Sequence, residues 1–329
     1  MTPIAIITGF LGSGKTTMLR KLLERGFGGR RVALIVNEFG EVGFDGQAVE
    51  GLHVERMIEL TSGCICCSVG TDFLLAVEEI IDTTQPDLIV VETTGLAEPW
   101  SLIKRVRASG LPLDTVVTLV DAANLERELD MAQVARWQVR AADFLILNKC
   151  DLVTPAQLAH VRTLLREQNE RAAIIEVIQG EVDPRRLFGI FTDEHGMNEV
   201  TSKRSAPSAM EDSDHLHEDA IETLLWQHNQ PLERGKIEAA LRELPPYIYR
   251  TKGIIHCTDA PWATRVNGVC GRVDYETTRL KTPPLFLNQL VFIGTALEGL
   301  RDNLFARLAT CADTSERTAA WHSRNENNA

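Results

Sequence analysis

The chain has 329 residues, 44% of them hydrophobic and 24% charged, a composition that excludes a disordered or fibrous protein. That length exceeds most single cores, so two domains are expected. The formal charge of -12 argues against nucleic acid or an anionic membrane as a main partner, and no apolar run reaches the roughly 18 residues of a membrane span.

The apolar start, Met1 to Thr8, lacks a basic leader and runs straight into a glycine-rich loop. It therefore reads as a first strand and not as a signal peptide, and a cytoplasmic location is expected. Up to about Val177, short β-branched runs alternate with helical stretches; the runs lie near residues 4–8, 31–36, 87–93, 115–121, 144–148 and 173–177. This is the rhythm of a parallel sheet with crossover helices. The runs LIVVE and FLILN are almost continuously apolar, as strands covered on both faces must be. The predicted fold is α/β, a doubly wound P-loop NTPase domain over residues 1–190.

A polar tract rich in Ser, Asp, Glu and Gly follows, and residues 191–217 read as a linker. A second, smaller α+β domain is expected over 218–311, with strands near 221–227, 249–257, 263–275 and 290–294. Its helices are expected near 232–244 and 296–308, on one face of the sheet. Residues 312–329 form a polar tail expected to fray.

Gly9-Phe10-Leu11-Gly12-Ser13-Gly14-Lys15-Thr16 matches the phosphate-binding loop pattern and lies where the mechanism needs it, after an apolar strand and before a helix. Glycines let the backbone wrap so that N–H groups and the helix N-terminus face phosphate oxygens. Lys15 is expected to reach the β and γ phosphates and Thr16 to give its hydroxyl to Mg²⁺, with nucleotide contact running on to Thr17. Asn148-Lys149-Cys150-Asp151 follows another apolar strand at the sheet edge where open α/β folds bind ligands. A carboxylate at Asp151 accepts both the ring N–H and the exocyclic amine of guanine, a donor pair that adenine lacks, so GTP is the expected nucleotide.

Val90-Val91-Glu92-Thr93-Thr94-Gly95 puts an acid at a strand end near Mg²⁺ and the γ-phosphate. Two readings of Glu92 stand: a catalytic or metal-water acid, and a loop carboxylate. Gly95 would let backbone approach the γ-phosphate. The acidic loop from Asn37 to Gly43 reads as a switch, with no catalytic role assigned to Glu38 or Glu41.

Seven cysteines suit no secreted disulfide framework, and Cys64, Cys66 and Cys67 crowd three thiols into four positions. Thiolates are soft ligands that favour Zn²⁺, Cu⁺ and, under suitable loading, Co²⁺ or Ni²⁺, and three protein ligands leave a fourth position open for hand-over. Structural cysteines and a redox cluster are the competing readings. His215 and His217 read as part of a solvated linker.

GFLGSGKTT, NEFGEVG, GCICC, the ETTG strand end and NKCD occur together and in order. In this combination the chain resembles the CobW-like metallochaperone GTPases, relatives of the nickel-loading proteins for hydrogenase and urease. The resemblance extends over essentially the whole chain, including KGIIHC and LVFIGTALE near its end. It implies a slow GTPase that binds Zn²⁺ or Co²⁺ through Cys64, Cys66 and Cys67 and delivers it to a client protein or cofactor pathway. It also implies that Ser68 and Val69 lie near the nucleotide, and that a nucleotide- or metal-dependent homodimer can form. Where several members carry a long histidine-rich stretch, this chain has only His195, His215 and His217 in that region. The rival function is a regulatory GTPase switch with structural or redox-sensing cysteines.

Overall fold

The computed structural model describes residues 2–27, 29–36, 56–59, 70–188, 221–279 and 286–313. The chain divides into two compact units, Met1–Ile190 and Phe191–Ala329.

In the first unit the elements run β1 (Ile4–Gly9), α1 (Lys15–Arg25), β2 (Val32–Val36), β3 (Arg56–Glu59), α2 (Gly70–Thr84), β4 (Leu88–Glu92) and α3 (Pro99–Ala108). They continue through β5 (Leu113–Asp121), α4 (Leu125–Met131), α5 (Gln133–Ala141), β6 (Phe144–Asn148), α6 (Pro155–Gln168), β7 (Ala173–Glu176) and the short α7 (Pro184–Leu187). The strands form one sheet in the order β3-β2-β4-β1-β5-β6-β7, and every neighbouring pair is parallel. Strand β1 lies at the point where the winding reverses, with β4 on one side and β5 on the other, which is where open α/β sheets leave a crevice beyond their carboxyl ends.

Burial follows from the apolar runs. Strands β4 and β6 are buried at every position, as both-face coverage requires. One core joins Ile4, Ile6, Ile35 and Val91 to Phe73, Val77 and Ile80 of α2 and Leu102 and Val106 of α3. Another joins Val120, Leu145 and Leu147 to Leu129 of α4, Val139 of α5 and Val161 and Leu165 of α6. Each such side chain contributes about 1.5 to 3 kcal/mol by leaving water. With both faces covered, the strand ends are left to carry polar groups.

The second unit contains β8 (Ile221–His228), α8 (Arg234–Arg242), β9 (Ile248–Ile255), β10 (Ala263–Val269), β11 (Arg272–Thr278), β12 (Asn288–Thr295) and α9 (Arg301–Ala309). Its sheet has the order β11-β10-β9-β12-β8, antiparallel throughout. Leu224, Trp226, Val266, Leu290 and Phe292 of the sheet share a core with Ile237 and Leu241 of α8 and Leu304 and Leu308 of α9. The run near 263–275, which reads as one extended stretch in sequence, is a hairpin. Cys270 and Gly271 both take positive φ, 45° and 79°, the backbone pattern of the tight turn that matches strand twist. Val269 and Arg272 pair across it. Among the described residues no helix is long and apolar enough to cross a membrane.

Candidate nucleotide site

The phosphate loop leaves β1 at Gly9 and enters α1 at Lys15. Gly14 stands at the start of α1 in the left-handed region, φ 103°, and a Cβ there would lie 2.4 Å from Asn148 Nδ2, so both conformation and space require glycine. Helix α1 starts with no side-chain cap. Helices α3 and α6, by contrast, are capped by Glu98, which accepts from the Trp100 and Ser101 N–H groups, and by Thr154 in a reciprocal box with Gln157. A bare N-terminus offers several N–H groups and the positive end of the helix dipole to an anion. Lys15, 9% exposed, arches back over the loop and donates from Nζ to Gly9 O at 2.9 Å and Phe10 O at 3.2 Å. Ser13 Oγ is buried without a hydrogen-bond partner, so the loop retains a polar atom that an oxygen ligand would satisfy. Thr16 is exposed in the first turn of α1, and Thr17 follows it. The uncapped helix start and the unpartnered Ser13 hydroxyl fit a polyphosphate.

Glu92 ends β4, 5% exposed and level with Val36 of β2 and Ile7 of β1. Beyond it Thr93 is tied to β1 twice: its N–H donates to Ile7 O at 3.0 Å, and its hydroxyl donates to the Thr8 hydroxyl at 2.8 Å. The chain then turns over Thr94–Ala97, closed by Ala97 N–H on Thr94 O at 3.0 Å. A Cβ on Gly95 would sit 2.8 Å from the Leu11 nitrogen, so this turn lies directly against the phosphate loop.

Asn148, at the end of β6, joins the base motif to that loop. Its Nδ2 donates to Ser13 O at 2.9 Å, and its Oδ1 accepts from the Gly180 N–H at 2.9 Å. Lys149, φ 62°, extends to Asp121 Oδ2 at 2.7 Å. Asp151 is exposed within a 3-10 turn over Cys150–Leu152, where its carboxylate is accessible to a base.

Asp121 was not marked by any motif, although it ends an apolar strand just as Glu92 does. Burial pushes its pKa up, but hydrogen bonds from Lys149, Asn124 and the Ala123 N–H outweigh that effect and hold it below the usual carboxylate range. Glu128 of α4 shows the opposite result. It is 8% exposed, and burial together with the Asp121 charge raises its pKa to about 7 despite Lys149, Arg127 and Lys15 nearby. Glu128, Asp121 and Lys149 share with Phe10, Leu11 and Gly12 a cavity of about 340 Å³ between the phosphate loop and the base motif. Gln138 of α5 also touches the site, donating to the carbonyls of Gly95 and Ala97.

Cys64, Cys66, Cys67, Ser68, Val69, Glu38, Glu41, His195, His215 and His217 lie outside the described residues. Among the described residues no group of three or more His, Cys, Asp or Glu side chains is placed to hold a metal ion. The four described cysteines, Cys150, Cys257, Cys270 and Cys311, are free thiols. Burial pushes Cys257 up to about 11, which keeps it protonated and unreactive at neutral pH.

A bare helix start behind a glycine loop, tied through Asn148 to an Asn-Lys-Cys-Asp turn, defines a P-loop nucleoside-triphosphate-binding protein. Residues 3–176 match the family described as CobW/HypB/UreG, nucleotide-binding domain, and residues 221–312 match the cobalamin synthesis protein cobW C-terminal domain. The chain belongs to this family, which is one of GTPases.

Over 310 residues it is 33% identical to a zinc chaperone CobW of Sinorhizobium sp, covering 83% of this chain and 86% of that one. It is 38% identical over 200 residues to the zinc chaperone YjiA of Escherichia coli, covering 57% of this chain and 62% of that one. It is also 38% identical over 193 residues to zinc-regulated GTPase metalloprotein activator 1 of Schizosaccharomyces pombe, covering 55% of this chain and 47% of that one. The chain thus spans most of the first relative but less than two thirds of the other two.

Proposed function

We propose that this protein is a GTP-hydrolysing metallochaperone: it binds Zn²⁺ or Co²⁺ through Cys64, Cys66 and Cys67 and delivers the ion to a client protein. The bare start of α1 receives the phosphates, Lys15 follows charge onto the β and γ oxygens, and Thr16 holds Mg²⁺. Mg²⁺ supplies positive charge that offsets the phosphate oxygens. Asp151 reads guanine, Lys149 is aimed by Asp121, and Glu92 and Gly95 attend the γ-phosphate. Relatives named as zinc chaperones and as a zinc-regulated GTPase activator support zinc as cargo and a protein as its recipient.

The observation that carries the coupling of the two activities is a row across the sheet. Glu59, the last residue of β3, is level with Val36 of β2, which is level with Glu92 of β4, which is level with Ile7 of β1. Three parallel strands thus end side by side, and β1 beside them runs two residues further, to Gly9. In sequence β3 is followed by the cysteine tract, β2 by the acidic switch tract, β4 by the Gly95 turn and β1 by the phosphate loop. Metal and γ-phosphate chemistry at one edge lets nucleotide state act on metal affinity.

The test is zinc stoichiometry and GTP turnover in the reduced protein, beside a Cys64→Ser, Cys66→Ser, Cys67→Ser variant and Lys15→Ala. One thiolate-bound zinc, lost in the triple variant, with turnover lost in Lys15→Ala, is the expected result. Zinc bound equally by the triple variant would overturn the metal site.

A further inference from the structure

Gln138 belongs to no motif, yet both hydrogens of its side-chain amide are used on one turn of the nucleotide site. It lies on α5, 1% exposed, and Nε2 donates to Gly95 O and to Ala97 O, each at 3.1 Å. Its anchorage is itself fixed, because the Thr118 hydroxyl of β5 donates to the Gln138 backbone oxygen at 2.9 Å. On its other side the turn meets the phosphate loop, with room for no Cβ between Gly95 and the Leu11 nitrogen. The segment after β4 is thus clamped between α5 and the loop. The Oε1 of Gln138 is buried without a hydrogen-bond partner. Leaving a buried acceptor unpaired is unfavourable, and an apolar side chain of similar shape would avoid it. What the amide contributes is therefore its two donors.

We propose that Gln138 is a positioning residue for nucleotide hydrolysis, holding the Thr94–Ala97 turn against the phosphate loop so that the backbone of Gly95 and the carboxylate of Glu92 stay aimed at the γ-phosphate. This rests on the reading above that the loop hydrolyses GTP. Hydrolysis is sensitive to sub-ångström placement of such groups, whereas binding of the nucleotide through Lys15, the α1 N-terminus and Asp151 does not involve the turn. Loss of the amide should consequently fall on kcat and spare ground-state affinity.

The experiment compares GTP turnover and GDP affinity in the full-length protein, Lys15→Ala, Gln138→Ala and Gln138→Glu. Gln138→Ala should lower kcat roughly 10- to 100-fold while KM and GDP affinity stay within about twofold. In Gln138→Glu a protonated acid can donate one of the two bonds, but a carboxylate repels both carbonyls. Its kcat should fall as pH rises through the carboxyl pKa, which burial raises, in a profile that the wild type lacks. Because that profile is read within one protein, it decides the matter even if Gln138→Ala folds poorly.

Wild-type kcat in Gln138→Ala, a Gln138→Glu profile parallel to wild type, or GDP affinity lost in step with kcat would each overturn the positioning role. Wild-type turnover clearly above Lys15→Ala in those cases leaves the GTPase reading standing. Turnover no higher than Lys15→Ala would remove that reading, and the role of Gln138 with it.

Discussion

The two units are both sheets with helices, but they treat their polar residues differently. In the parallel sheet every strand ends at the same edge, so Gly9, Glu92, Asp121 and Asn148 arrive together from four strands distant in sequence. In the antiparallel sheet successive strands end at opposite edges, and several polar side chains of that unit pair with one another away from any common edge. The Thr258 hydroxyl donates to Asp313 Oδ2 at 2.7 Å, Tyr249 and Thr295 share a bond of 3.1 Å, and Arg234 reaches Asp259 at 2.7 Å. Direction of pairing alone decides which sheet gathers chemistry at an edge and which closes on itself. Substitutions at the gathered edge should therefore change turnover, while those in the antiparallel unit should change stability.

The largest effect is expected from Lys15→Ala. Removing the cation that follows charge onto the transferring phosphoryl group should lower kcat about 10²- to 10³-fold, with circular dichroism unchanged. Turnover within threefold of wild type would place the reaction elsewhere. Next comes Asp151→Asn, in which one acceptor becomes a donor that meets the xanthine carbonyl in place of the guanine amine. Competition assays should show GTP weakened about 10- to 100-fold and xanthosine triphosphate improved. Unchanged preference would mean that another segment reads the base.

Glu128 gives a smaller effect, read by pH. Its folded pKa of about 7 lies above the ordinary 4.5, so the folded state holds the proton more tightly than the unfolded chain. The contribution to stability is fully present below pH 4.5 and is lost as pH rises through about 7. Glu128→Gln abolishes that dependence. It should be more stable than wild type at pH 8 by on the order of 2 kcal/mol and nearly equal at pH 5. Parallel melting curves across that range would contradict the buried, protonated acid.

At the other end of the comparison stands Thr258→Val. It strips a buried donor from Asp313 and should cost about 1 to 3 kcal/mol of stability by denaturant titration. GTP turnover should stay within about twofold. A large loss of turnover would show that the antiparallel unit takes part in the chemistry.

Much of this arrangement was legible from residues alone. Continuous apolar runs mark strands covered on both faces, and the phosphate loop and NKCD turn carry their mechanism in their residue types. The hairpin at Cys270-Gly271 escaped because Cys is not a turn residue, and only its positive φ in the folded chain reveals the reversal. Asp121 had a readable signal, an acid closing an apolar strand. Gln138 had none, since a single glutamine inside an amphipathic helix looks like a solvated position until the turn it holds is brought to it by tertiary packing. Glu128 likewise looks like an ordinary first-turn acid of a helix, and only its burial beside Asp121 sets it apart.

The central claim is that nucleotide and metal act on each other across the row in which Glu59, Val36 and Glu92 end their strands level with Ile7 of β1. The direct measurement is Zn²⁺ affinity against a competing chelator, taken with GDP and with a non-hydrolysable GTP analogue in the presence of Mg²⁺. Zinc should bind roughly 5- to 150-fold more tightly in the analogue-bound protein, the usual scale of coupling between two sites, and the analogue should bind more tightly to the zinc-loaded protein by the same factor. Equal zinc affinities in the two nucleotide states would contradict the account, even with both sites occupied.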